Sequence, residues 1–161
     1  MKTESEIELA RNVIRIERDA LEKLEAGLDE TIIRAADLVM ATDRYVIVAG
    51  VGKSGHIGQK IAASLASTGT PSFFLHPTEA SHGDLGMIVP GSVLLAISYS
   101  GESREMVDLL RYCRGNAIPV IGMTRAPDST LGRLSDVVLQ MPTVAEACPN
   151  GLAPTSSTTM A

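Results

Sequence analysis

The chain has no tryptophan, and three Tyr and two Phe bring its aromatic content to only 3%. A surface for single-stranded nucleic acid needs rings on which bases stack, and that platform is missing. Basic runs are missing too: 14 Lys and Arg stand against 19 Asp and Glu, a formal charge of −5. Such a field opposes a phosphate backbone, so no nucleic-acid partner is expected, and any anionic ligand must be held by helix N-termini and one or two basic side chains. Cysteine occurs twice, at Cys113 and Cys148, without a CxxC pair. Neither a disulfide framework nor a thiolate metal site follows, and both thiols read as small buried hydrophobes. No stretch reaches the roughly 20 apolar residues of a membrane span. The opening Met1-Lys2-Thr3-Glu4-Ser5-Glu6 is too acidic and polar for a signal peptide. No membrane partner and a cytoplasmic location are therefore expected.

What is there fits one globular domain: 161 residues, 45% hydrophobic and 20% charged. Residues 1–42 read as a helical segment and 43–161 as an α/β core. Apolar residues at Ile7, Ala10, Ile14, Leu21, Leu24 and Leu28 fall at helical spacing, with Glu17 the misfit. Gly27 interrupts this helix, and Leu28–Met40 reads as a second one. The stripe serves either its own domain or a second subunit. After Asp43, short apolar runs without polar alternation suit parallel strands buried on both faces, at Tyr45–Ala49, Ser72–Leu75, Val93–Ile97, Pro119–Met123 and Val137–Leu139. Helices are expected at Gly55–Ser67, Arg104–Arg114 and roughly Ser129–Leu134. Regular alternation implies right-handed crossovers and a parallel sheet covered on both sides. At the end, Pro154 to Ala161 reads as a loop entering a helix through Ser/Thr caps, and the C-terminal end is expected to be incomplete.

Two loops carry the chemistry. After the first strand, Gly50-Val51-Gly52-Lys53-Ser54-Gly55 matches GxGxxG. A dinucleotide site would also need an acidic residue at the end of the second strand, where Leu75-His76-Pro77 stands and Glu79 lies too far on. A P-loop would place its first glycine on Ile47, inside the strand. What both patterns share is physics: Gly52 lets the backbone approach a ligand, and free N–H groups at a helix start favour an anion beside Lys53. The ordinary alternative for Lys53 is a solvated surface lysine. After the third strand, Ser98, Ser100 and Ser103 surround Gly101 ahead of a helix, a neutral cradle for phosphate oxygens or, more plainly, a helix cap. With strand order 2-1-3-4-5 both loops face one ligand at the topological switch point. Between them, His76, Glu79 and His82 have the chemistry of zinc ligands, but nothing fixes their convergence. Acid/base or hydroxyl-contacting roles are expected for Glu79 and His82, structural ones for His56 and His76.

The runs Gly52-Lys53-Ser54-Gly55-His56, Ala66 to Phe74, His82-Gly83-Asp84-Leu85-Gly86-Met87, Ser98-x-Ser100-Gly101-Glu102-Ser103, Glu146-Ala147-Cys148-Pro149 and Leu152 to Thr159 resemble the bacterial arabinose 5-phosphate isomerases, a branch of the sugar-isomerase (SIS) domains. The likeness runs from about Tyr45 to the last residue. It implies a three-layer αβα sandwich with five parallel strands, assembled as a homotetramer with shared active sites. It also implies interconversion of D-ribulose 5-phosphate and D-arabinose 5-phosphate, a step toward the lipopolysaccharide sugar Kdo. Carried over, Ser54, Ser98, Ser100 and Ser103 would hold phosphate. Lys53, Glu79, His82, Glu105 and Glu146 would be polar active-site positions, and Thr155 and Ser156 of the last motif would join the substrate-binding set. Glu105 is the expected proton carrier, Lys53 the charge beside the developing oxyanion and His82 the ring-opening group, while Glu79 and Glu146 suit sugar hydroxyls. No redox cofactor or obligatory metal is implied. Family members usually add a His-Pro-Gly-Gly segment and paired CBS domains, which this sequence does not contain. A phosphosugar sensor without catalysis is the competing reading, a nucleotide-using enzyme a third.

Overall fold

The computed structural model describes the backbone of residues 2–161 and the side chains of residues 5–161; Met1 lies outside the described residues. Helix α1 spans Lys2–Ala26. It starts earlier than the apolar stripe because Lys and Glu are good helix formers even where no face is buried. It ends at Gly27, whose N–H reaches the Lys23 and Leu24 carbonyls. Helix α2 spans Thr31–Ala41 and starts three residues after the expected Leu28. The cause is Asp29: its carboxylate accepts from the Thr31 N–H at 2.8 Å and the Thr31 hydroxyl at 2.7 Å, fixing the turn that leads into α2.

Five strands follow: β1 Val46–Gly50, β2 Ser72–Phe74, β3 Val93–Ile97, β4 Val120–Thr124 and β5 Val137–Gln140. They form one parallel sheet in the order β2-β1-β3-β4-β5, the order under which the two loops are expected to face one ligand. Strand β1 runs one residue later than expected, since Tyr45 is exposed while Gly50 pairs with Ile97. Crossovers are made by α3 Lys53–Ser67, α4 Pro77–Ser81, α5 Met106–Gly115 and α6 Thr130–Leu134, and α7 Ser156–Thr159 closes the chain.

The uninterrupted apolar strands are explained by two cores. Ile47, Ala49, Leu94 and Ala96 point to one face and meet Met106, Leu109, Leu110 and Cys113 of α5. Val46, Val48, Val93 and Leu95 point to the other and meet Ala35 of α2 and Ala62 of α3. Successive strand residues thus feed opposite layers, which is what period-two geometry dictates. Burial pushes the Cys113 thiol up to about 12, in keeping with a packing role. The glycines of the first loop also serve the fold: a Cβ at Gly55 would lie 2.8 Å from the Gly50 carbonyl oxygen and one at Gly58 3.1 Å from Phe74. Helix α3 can therefore press closely onto β1 and β2.

Candidate functional site

Because β1 and β3 are neighbours and their chains cross to opposite sides, the loops that follow them leave the same sheet edge side by side. They line one open cavity of about 460 Å³, whose walls bring together Lys53, Ser54, Ser98, Ser100, Ser103 and Glu146. A second cavity of about 470 Å³ lies between α1, α2 and β5 and is mainly apolar. Lys53, Glu146 and the four serines converge in the first.

The first loop turns on Gly52, at φ 59°, where a Cβ would meet nothing within 4 Å but the backbone itself disfavours any L side chain. Helix α3 begins there without a side-chain cap. The N–H groups of Lys53, Ser54 and Gly55 take no acceptor among the described residues, so the start of a 15-residue helix faces the cavity with donors unspent.

The second loop is built differently. Ser98 and Ser103 hydroxyls share a hydrogen bond of 2.9 Å, the Gly101 N–H donates to Ser98 Oγ at 3.2 Å, and the Glu102 N–H to Ser100 Oγ at 3.3 Å. Gly101 sits at φ 72°, and a Cβ there would overlap the Ser129 side chain. The Glu102 carboxylate accepts from the Thr130 N–H at 2.9 Å and its hydroxyl at 2.8 Å, clamping the loop to the start of α6. The Thr130 hydroxyl and N–H hold the Glu102 carboxyl below the usual carboxylate range. Tyr99 ties the same loop to the chain after β5: its hydroxyl donates to the Pro142 carbonyl at 3.2 Å and accepts from the Val144 N–H at 3.3 Å.

That chain delivers Glu146 to the cavity. Its Oε2 accepts from the Thr155 N–H at 2.6 Å, the Thr155 hydroxyl at 3.0 Å and the Ser157 N–H at 3.4 Å. Burial pushes this carboxyl up, but the hydrogen bonds from Ser157 and Thr155 together outweigh it and hold it below the ordinary range.

Several residues singled out in the sequence stand elsewhere. Thr155 does not line the cavity; its hydroxyl is spent on Glu146 and on the Ala147 N–H. Ser156 is fully buried beneath it, with a hydroxyl that has no partner among the described residues. Glu105 is not one turn into a helix. The turn bonds Met106 N–H to Ser103 and Val107 N–H to Arg104 precede α5, and Glu105 is its exposed N-terminal flank. Glu79 and His82 are exposed and lie outside the cavity walls. They sit on and just after α4, where the His76 Nδ1 accepts from the Thr78 N–H and Pro77 opens the helix. Among the described residues no three His, Cys, Asp or Glu side chains are arranged to hold a metal. Cys148 is a correction: it is half-buried rather than buried, and the backbone N–H groups around it, that of Leu152 foremost, hold its thiol below the ordinary value. Tyr99 and Leu152 also line the cavity, and residue type alone does not single them out in the sequence.

Comparison with known proteins fits this geometry. The chain is 50% identical over 154 residues to the arabinose 5-phosphate isomerase KdsD of Pseudomonas aeruginosa, covering 96% of this chain and 47% of that protein. It thus spans about half the length of the curated relatives it matches. An E. coli CFT073 protein, c3406, solved in complex with arabinose 5-phosphate, superposes with a TM-score of 0.94 at 37% identity, over 99% of this chain and 85% of that one. The Vibrio vulnificus NanR protein complexed with ManNAc-6P shares the fold, with a TM-score of 0.78 at 20% identity, over 92% of this chain and 56% of that one. Residues 39–161 match the SIS domain, and the chain belongs to that family.

Proposed function

We propose that this chain is the sugar-isomerase unit of an enzyme that interconverts D-ribulose 5-phosphate and D-arabinose 5-phosphate through an enediolate, supplying a precursor of the lipopolysaccharide sugar Kdo in the cytoplasm. The observation that carries the reading is the shared cavity. Unspent N–H groups at the start of α3, the Lys53 ammonium and the hydroxyls of Ser54, Ser98, Ser100 and Ser103 surround a space suited to a phosphoryl group. An ionised Glu146 on the same wall repels phosphate and accepts from sugar hydroxyls, so it orients the ligand with its phosphate toward α3. The 50% identity to an arabinose 5-phosphate isomerase, and the solved neighbour's complex with that sugar phosphate, support this choice of sugar.

Isomerisation removes a proton from the carbon next to the carbonyl, places negative charge on the enediolate oxygen, and returns a proton to the neighbouring carbon. A carboxylate acting as that proton carrier contributes about 10²–10⁴-fold. Glu146 already accepts three hydrogen bonds at the cavity wall and suits an acceptor of sugar hydroxyls, and this reading assigns Glu105 as proton carrier and His82 as ring-opening group. Both are exposed and off the walls of this chain's own cavity. They would act in a homotetramer in which sites are shared between copies. Exposed apolar side chains on α1 and α2, among them Ile14, Ile33 and Met40, offer the surface for such assembly. A sensor of phosphosugars is the second reading, favoured by one observation: binding groups line the cavity while the proton carriers do not. Incubation with ribulose 5-phosphate in D₂O separates them. The isomerase reading expects deuterium in arabinose 5-phosphate, lost in Lys53→Ala and Glu105→Ala; binding without exchange supports the sensor.

A further inference from the structure

We propose that Thr155 is a positioning residue of the site: its hydroxyl and N–H lock the Glu146 carboxylate at the cavity wall, so that Glu146 meets the sugar as a fixed, charged acceptor. The inference rests on the phosphosugar reading above and assigns Thr155 a part other than touching the ligand.

A threonine hydroxyl has one proton to give. Thr155 gives it to Glu146 Oε2 at 3.0 Å, while its oxygen accepts from the Ala147 N–H at 2.6 Å. The Thr155 and Ser157 N–H groups converge on the same Oε2, at 2.6 and 3.4 Å. Three donors thus hold one oxygen, and the Ser157 hydroxyl adds to the stabilisation of the carboxylate. The clasp also closes the neck of the segment from Ala147 to Pro154. The far end of that segment carries Gly151, Leu152 and Ala153 to the cavity mouth, with Leu152 84% exposed. The Thr155 hydroxyl, bonded at once to Glu146 and to the Ala147 N–H, therefore joins the carboxylate to the path of the loop beside it.

The charged and titratable groups around Glu146 do not explain its state. Lys53 of α3 and Tyr99 of the loop after β3 share the cavity, Arg125 stands 5.5 Å from the centre of the Tyr99 ring, and Cys148 lies two residues along. None makes a hydrogen bond or ion pair with Glu146 among the described residues, and α7 carries no charged side chain. The donors of Thr155 and Ser157 are left as the source of its stabilised charge.

The test compares the unmodified chain, Thr155→Val and Thr155→Ser. Valine keeps the shape and removes both hydroxyl bonds; serine keeps the bonds. The Glu146 carboxyl resonance, assigned by its loss in Glu146→Gln, is titrated by ¹³C NMR, and arabinose 5-phosphate affinity is measured by calorimetry on the same samples. Thr155→Val is expected to move the Glu146 titration upward and to weaken sugar binding about tenfold or more, the scale of a hydrogen bond to a charged group. Thr155→Ser should restore both. An unchanged titration in Thr155→Val overturns the proposal. So does a Glu146 that titrates like an exposed glutamate in the unmodified chain, an outcome readable even if the valine variant does not fold. Since the titration needs no sugar, failure of the phosphosugar reading shows separately, as absent binding beside an intact Thr155→Val shift.

Discussion

The loops after β1 and β3 line the same cavity but are prepared for a ligand in opposite ways. The first leaves the N–H groups of Lys53, Ser54 and Gly55 without acceptors among the described residues. The second has its hydroxyl oxygens tied in place, Ser98 and Ser103 sharing one bond and Ser100 Oγ accepting from the Glu102 N–H. An anion meeting the first loop displaces only water and gains new bonds at a helix start. An anion meeting the second finds hydroxyl oxygens already held by internal bonds and two hydroxyl protons free to give, that of Ser100 and one of the Ser98–Ser103 pair, so it gains fewer new bonds there than at the helix start. The first loop should therefore supply affinity and the second shape. Rigidity follows the same division, since the second loop is tied down by Glu102 to Thr130 and by Tyr99 to Pro142 and Val144.

The sharpest way to break this contrast is Gly101→Ala. The left-handed backbone alone costs about 1–2 kcal/mol, and the added methyl overlaps Ser129, so the shape of the second loop should be lost. Thermal unfolding should fall by several degrees, on the order of 2–4 °C per kcal/mol, and phosphosugar binding should vanish in calorimetry. Next comes Lys53→Ala, which removes the one basic side chain on the cavity wall among the described residues. Affinity should drop about 30-fold or more, as expected when one partner of a charge pair is truncated, with little change in melting temperature because Lys53 is exposed. Unaltered affinity would show that the first loop does not hold the anion.

A smaller effect is expected from Glu102→Gln. The depressed carboxyl of Glu102 contributes stability that is present above the ordinary glutamate value, about 4.3, and is lost as pH falls through its lower folded value. The variant should flatten that part of the acid-unfolding profile and weaken sugar binding by a few-fold. Smallest of all is Ser98→Ala. Its hydroxyl is buried and already committed to Ser103 and Gly101, so affinity should change by about threefold or less. A tenfold loss would mean that the second loop gives up its internal bonds for the ligand after all.

Much of this architecture is legible in the chain itself. Val93–Ile97 can be read to the residue because the apolar run stops sharply at Ser92 and Ser98. Alternation points to a parallel sheet, while the order β2-β1-β3-β4-β5 is a supposition in the sequence that the sheet itself bears out. Helix α4 escapes a periodicity reading because five residues carry no readable period; the local signal is a histidine cap, a proline at the first position and Glu79 in the first turn. The start of α5 falls later than the sequence suggests because Arg104 and Glu105 are as acceptable in a turn as in a helix, and only the Ser103 and Arg104 carbonyl bonds decide between them. The serine loop and Lys53 are visible as residue types. That Ser98 and Ser103 bond each other, or that Thr155 serves Glu146 nine positions before it, depends on three-dimensional approach and leaves no pattern in the chain.

The central claim is that both loops close on one phosphorylated sugar, and amide NMR tests it directly. On titration with arabinose 5-phosphate, the amides from Gly52 to Gly55 and from Ser98 to Ser103 should shift together and saturate with a single dissociation constant. Shifts confined to one loop, or two loops saturating at different concentrations, would contradict it.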